Sequence, residues 1–153
     1  MAHGHSDFWS HRDDYGGVFG GAPLRSSTLL HICAEYNEVE AARLLLRHGA
    51  DINARTAHPH NNQTPIYHAV NSNFNWSFPI LEFLVEQGAD LEVRSTLHVP
   101  DADIVLEDVT PLGYAIRYPN EINGGPGSGK RRKLGTDPHE NVVDLLKSHG
   151  APE

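Results

Sequence analysis

Three blocks of this chain repeat one another, and that repetition limits the folds open to it more than any other feature. Thr28-Leu29-Leu30-His31-Ile32-Cys33-Ala34 aligns with Thr64-Pro65-Ile66-Tyr67-His68-Ala69-Val70 and with Thr110-Pro111-Leu112-Gly113-Tyr114-Ala115-Ile116. Downstream of each comes a second shared block: Ala41-Ala42 with Leu44-Leu45, Ile80-Leu81 with Phe83-Leu84, and Val142-Val143 with Leu145-Leu146. Apolar residues at i, i+1, i+3 and i+4 form one stripe of a helix. Each second block stands the same distance before a glycine, Gly49, Gly88 or Gly150, where a helix can end in a left-handed residue at no steric cost. The spacing predicts helix, short turn, helix and glycine stop, three times over. Helices this short cannot bury their stripes alone, so the units must stack.

The spacing is uneven. From Thr to closing Gly the units span 21, 24 and 40 residues, and the gaps from each closing Gly to the next Thr are 15 and 22. A repeat of about 33 residues leaves about 12 for that gap. The surplus falls between elements, where a stacked array tolerates it.

The blocks resemble ankyrin repeats, whose motif runs Thr-Pro-Leu-His, a helix, then Leu-Leu and Gly-Ala-Asp. Residues 28–55 match without insertion, 64–94 with three extra residues near Asn73-Phe74-Asn75-Trp76, and 110–151 once a long insertion is set aside. The resemblance covers about two-thirds of the chain. Only the first unit keeps the motif histidine, His31; Tyr67 and Gly113 replace it elsewhere, and Leu29 stands where Pro is usual. The implied fold is an all-α solenoid of about three helix-turn-helix repeats, with hairpin-like fingers and an irregular amino-terminal cap. The repeats are expected at about 28–60, 61–106 and 107–153. The resemblance also implies a concave face of finger tips and inner helices that binds a partner protein without catalysis. Carried over position by position, it assigns that face to Arg25, Glu35, Tyr36, His60, Asn61, Asn71, Arg117 and Tyr118.

Three segments lie outside the pattern. Residues 1–27 are rich in Gly and carry Phe8, Trp9, Tyr15, Val18 and Phe19, which suits a cap over the first unit. Residues 91–109 read as a long finger, with strands Leu91–Arg94 and Ile104–Glu107 around Pro100-Asp101-Ala102-Asp103. Residues 120–137 interrupt the last unit with the Gly-rich run 123–129 and the basic run Lys130-Arg131-Arg132-Lys133.

Several chemistries are suggested and declined. Gly124-x4-Gly129-Lys130 has phosphate-loop spacing, but Arg131 stands where a Ser or Thr must hold magnesium, and no apolar strand precedes it. The basic run lacks interleaved aromatics for base stacking, and the rest of the chain carries twenty acidic against eight basic residues, so nucleic acid is not expected. Eleven histidines raise a metal reading, through His3, His5 and His11 or through His58 and His60. No His-Glu-x-x-His spacing supports it, and zinc needs three or four converging ligands. The lone Cys33 falls at a small-residue position of an inner helix, which predicts a buried, inert thiol. His48 and His149, each just before a closing glycine, suit helix carboxyl ends. No cofactor, no membrane segment and no export signal are read, so a cytoplasmic monomer is the expectation. The competing readings are a histidine-based metal binder or enzyme, and a fragment of a longer repeat array.

Overall fold

Thr28, Thr64 and Thr110 each stand directly before a helix, as the repeat requires. A computed structural model of the chain describes residues 27–57, 62–70, 77–99, 104–117 and 138–153. Among these described residues six helices and two strands follow in order: α1 Leu29–Tyr36, α2 Val39–Arg47, α3 Pro65–Val70, α4 Phe78–Glu86, β1 Ser95–Val99, β2 Ile104–Val109, α5 Pro111–Arg117 and α6 Pro138–Ser148. Proline opens α3, α5 and α6, where its missing N–H costs nothing and its fixed φ already suits a helix.

The helices pair as α1/α2, α3/α4 and α5/α6, and the pairs stack side by side. The middle inner helix, α3, packs against α1 on one side and α5 on the other; α4 lies between α2 and α6 in the same way. One apolar seam runs through all three pairs, through Leu30 and Ala42, Ile66 and Leu84, then Leu112 and Leu146.

Each pair closes identically. Gly49, Gly88 and Gly150 take φ of +90°, +86° and +76°, a region open to glycine without a side-chain clash. The glycine N–H donates three residues back, to Leu46, Val85 and Lys147, and the following alanine N–H donates to Leu45, Leu84 and Leu146 at 3.0 Å. Those paired bonds satisfy carbonyls that a helix end would leave open. The chain then turns through an Asp whose carboxylate accepts the N–H two residues on, Asp51 from Asn53 and Asp90 from Glu92. That turn corrects the expected strand at Leu91–Arg94. The loop after Asp90 holds this stretch, and β1 begins at Ser95.

The second finger is an antiparallel hairpin with Leu97 opposite Leu106 and Val99 opposite Ile104. An extra residue on β2 breaks the register between Ser95 and Leu97, and Asp108 there takes φ 52°. Leu97 and Leu106 point into the seam, while Val105 is exposed. Between the first two pairs the described residues hold no strand, although Thr56 N–H donates to the Gln63 carbonyl at 3.1 Å. The two fingers share a latch: Arg55 donates to the Asn62 carbonyl at 3.1 Å and Arg94 to the Asp108 carbonyl at 2.9 Å. Arg55 also donates to the Arg94 carbonyl, at 3.0 Å, tying one finger base to the next.

Candidate functional site

Two residues at one repeat position stitch the units together. His31 is buried three places after Thr28, and its Nδ1 lies 3.1 Å from the Thr28 N–H and 2.9 Å from the Thr28 hydroxyl. Since Nδ1 accepts the Thr28 N–H, the ring proton sits on Nε2, which donates to the Gln63 carbonyl at 2.9 Å. Gln63 immediately precedes Thr64. Tyr67, three places after Thr64, donates its hydroxyl toward two carbonyls, Val93 at 2.9 Å and Val109 at 2.6 Å, and Val109 immediately precedes Thr110. The tyrosine therefore makes the inter-unit bond that the histidine makes one unit earlier. Gly113 has no side chain to continue the series. A Cβ there would stand 3.1 Å from Val109 and 3.2 Å from the Thr110 hydroxyl, which accepts the Gly113 N–H and donates to the Pro152 carbonyl at 2.7 Å.

A second buried contact joins the first two pairs. His68 Nδ1–H donates to Glu35 Oε2 at 2.9 Å, with both side chains shielded from solvent. The Gln63 amide lies 3.4 Å from His68 Nε2, and Thr56 donates to Gln63 Oε1 at 3.3 Å. The His31 and His68 rings meet edge to face at 5.6 Å. Enclosure on this scale leaves no approach for a substrate, so the Glu–His pair joins repeats and does not act as a base.

Burial, aided by the neighbouring His68, lowers the His31 pKa to about 4, against the partly opposing Gln63 hydrogen bond. Protonation would also turn the Nδ1 acceptor into a donor facing the Thr28 N–H. Because the folded value lies below the ordinary 6.5, the unfolded chain takes up this proton first on acidification. The stability contribution is complete above pH 6.5, shrinks as pH falls, and levels off below 4. It is worth about 3 kcal/mol across that window. Urea unfolding at pH 7.5 and 4.5 should show this loss in the native chain and a smaller one in His31→Gln. Equal losses in both would contradict it.

Of the sequence-predicted site residues, Tyr36 closes α1 with 39% of its surface exposed, and Asn37 behind it is left-handed at φ 57°. Asn37 Oδ1 accepts the Ile80 N–H at 3.1 Å, which holds this corner against α4. Arg117 ends α5, half-buried, beside a shallow notch of about 190 Å³ lined also by Arg94, Asp108, Thr110, Gly113 and Glu153. Glu35 requires a correction. It was expected to face a partner, but it is 2% exposed because its carboxylate turns inward to His68 of the next unit. Arg25, His60, Asn61, Asn71 and Tyr118 lie outside the described residues, as do the cap, the Gly-rich insertion with its basic run, and the amino-terminal and 58–60 histidines. Among described residues, Tyr36 and Arg117 thus stand on different units and share no contact site.

Cys33 is buried, and desolvation, with a nearby Glu38, pushes its thiol pKa up, away from nucleophilic reactivity. Among the described residues no group of three or more His, Cys, Asp or Glu could hold a metal ion. Among them, too, no helix is long and apolar enough to cross a membrane. The linking roles of Tyr67, Glu35 and His68 were missed in the sequence, although their repeat positions carried a signal: the residue seven after one Thr meets the residue four after the next.

The family described as ankyrin repeats (3 copies) matches residues 17–95, just over half of the chain. The match takes in the first two helix pairs and the twelve residues ahead of them, and it stops at the first residue of β1. Comparison with curated proteins gives no match.

Proposed function

This chain belongs to the ankyrin-repeat family, and from that premise we propose that it is a non-catalytic module binding a protein partner through its inner-helix ends and fingers. The observation that carries this reading is the stack itself: three pairs in fixed register, with His31 and Tyr67 each bonded to the backbone that precedes the next unit. Stacked repeats present one extended surface, and such surfaces bind by shape and charge with a few aromatic and Arg anchors. Tyr36 and Arg117 have the right chemistry for anchors, and the hairpin finger exposes Glu107 and Asp108, with Glu92 exposed in the loop ahead of it. With a net charge of −8, that finger suits a partner carrying a basic patch.

Affinity capture with the intact chain as bait identifies the partner. Replacing Tyr36 and Tyr118 together by Ala should weaken the captured interaction at least about tenfold, with the helical signal retained. An unchanged affinity would remove both tyrosines as anchors.

A further inference from the structure

The first finger is bonded to the second at positions that recur in the second finger itself. Asn53 Oδ1 accepts the Asp90 N–H at 2.9 Å, and Arg55 Nη1 donates to the Arg94 carbonyl at 3.0 Å. The Asn62 N–H donates to the Thr96 carbonyl at 3.3 Å, while Asn62 Oδ1 accepts the Thr96 N–H at 2.9 Å. The first finger thus holds the second by its backbone at Arg94 and Thr96, along the outer edge of β1. Counted from each closing glycine and each following threonine, the counterparts of Asn53, Arg55 and Asn62 are Glu92, Arg94 and Asp108. Arg94 donates to the Asp108 carbonyl just as Arg55 donates to that of Asn62. Where Arg55 Nη1 also reaches onward to the next finger, Arg94 Nη1 has only the Asp108 carboxylate, at 3.5 Å. Pro152, at the position of Asp90, has no N–H to give Glu92. The sheet has two strands, and among the described residues no backbone bond from another segment reaches the outer edge of β2.

We propose that an extended segment of a partner protein, with basic side chains at alternate positions, adds to the outer edge of β2 as a third strand held by Arg94 and Asp108. The proposal rests on the partner-binding reading and gives its binding mode at the finger. The Arg94 guanidinium donates to one carbonyl of the segment, and the Asp108 carboxylate accepts the N–H two residues further on. Arg55 and Asn62 already hold Arg94 and Thr96 in this way. Both docking side chains are open to solvent, Arg94 at 49% and Asp108 at 76%. Asp108 differs from Asn62 in being charged and in being left-handed, at φ 52° in the bulge. As a carboxylate it is the stronger acceptor. Strand addition takes affinity from main-chain bonds and specificity from alternate side chains. Val105 and Glu107 stand two apart on β2, both exposed, and Asp108 and Glu92 add two more exposed carboxylates. Lysine or arginine across from these acids is therefore favoured. A second copy of the chain, paired edge to edge, would set the same acids against one another.

The test titrates the full chain into a dye-labelled, end-blocked peptide of seven residues that alternates lysine and valine, followed by fluorescence anisotropy. Binding should saturate, and the same peptide with glutamate for lysine, or with every backbone nitrogen methylated, should not bind. Asp108→Gly removes the acceptor at a left-handed position that glycine takes without strain, so the fold is kept while affinity falls about tenfold. Asp108→Asn, which restores an acceptor oxygen like that of Asn62, should bind more tightly than Asp108→Gly. Tyr36→Ala with Tyr118→Ala should bind the peptide as the native chain does. Peptide affinity that fell with those tyrosines would put the peptide on the inner helices and overturn strand addition. Equal binding of the methylated peptide would also overturn it, since charge alone would then suffice. No binding, beside a captured partner that still depends on the tyrosines, would overturn strand addition and leave the partner-binding reading standing. Binding that emerged only after Lys130, Arg131, Arg132 and Lys133 were all replaced by Ser would overturn the partner as occupant in favour of the chain's own basic run.

Discussion

Tyr67→Ala should lower the free energy of unfolding by about 4 kcal/mol, within the range for deleting a fully buried aromatic ring. The ring lies between the second and third units, 5.9 Å from Tyr114, and its hydroxyl serves the Val93 and Val109 carbonyls. Burial pushes the phenol pKa well up, so the hydroxyl remains a donor throughout the accessible pH range. Tyr67→Phe keeps the ring and removes only the donor, leaving two buried carbonyls short of a partner at a cost of about 1–3 kcal/mol. Domains of this size hold about 5–15 kcal/mol in total, so the alanine variant stands near the edge of folding and the phenylalanine variant does not. Urea titrations of both separate the two effects. A phenylalanine variant as stable as the native chain would mean that the hydroxyl does not stitch the units.

Glu35→Leu should cost about 3 kcal/mol, because it leaves the buried His68 Nδ1–H without its acceptor. Adding His68→Leu should recover part of that loss, since two apolar residues of similar volume leave fewer polar atoms stranded. The cycle of single and double variants should therefore give a coupling of about 1–3 kcal/mol. Losses that simply add would show that the pair contributes nothing beyond its separate members. Glu35 Oε1 has no partner of its own, so the pair is satisfied on one side only, and the contribution rests on the 2.9 Å contact.

How far the sequence could be read is clearest at these same residues. Thr28, Thr64 and Thr110, the first residue of each repeated block, marked the helix starts, and Gly49, Gly88 and Gly150 marked the left-handed stops, because a positive φ restricts residue type locally. The apolar stripes told which helix faces meet, and Cys33 followed as a buried small residue. What stayed hidden depended on contacts between units. The substitution of Tyr67 for the motif histidine read as a departure, yet its longer reach allows it to meet the carbonyl before Thr110. Glu35 read as partner-facing because the repeat pattern assigns inner-helix ends to the binding face. Only the placement of His68 against it, 33 residues later, turns it inward. The finger was expected to start at Leu91, since Leu-Glu-Val-Arg alternates like a strand; the Asp90 turn takes those residues first.

For the candidate site the legible part was smaller. The repeat pointed to inner-helix ends as a class, and Tyr36 and Arg117 are found there, exposed and half-buried. Which side chains at those ends face outward depends on whether the next unit supplies a buried partner, which no single repeat encodes.

The account depends on three helix pairs sharing one seam held by bonds from each unit to the next, and hydrogen exchange of the intact chain tests this most directly. Amides of α3 and α4, enclosed on both sides, should exchange slowest, and those of α1 and α5 should be protected through them. Tyr67→Phe should speed exchange in both α3 and α5. Exchange in α5 and α6 at the rate of an unfolded chain, indifferent to Tyr67, would contradict the shared seam and with it the extended binding surface.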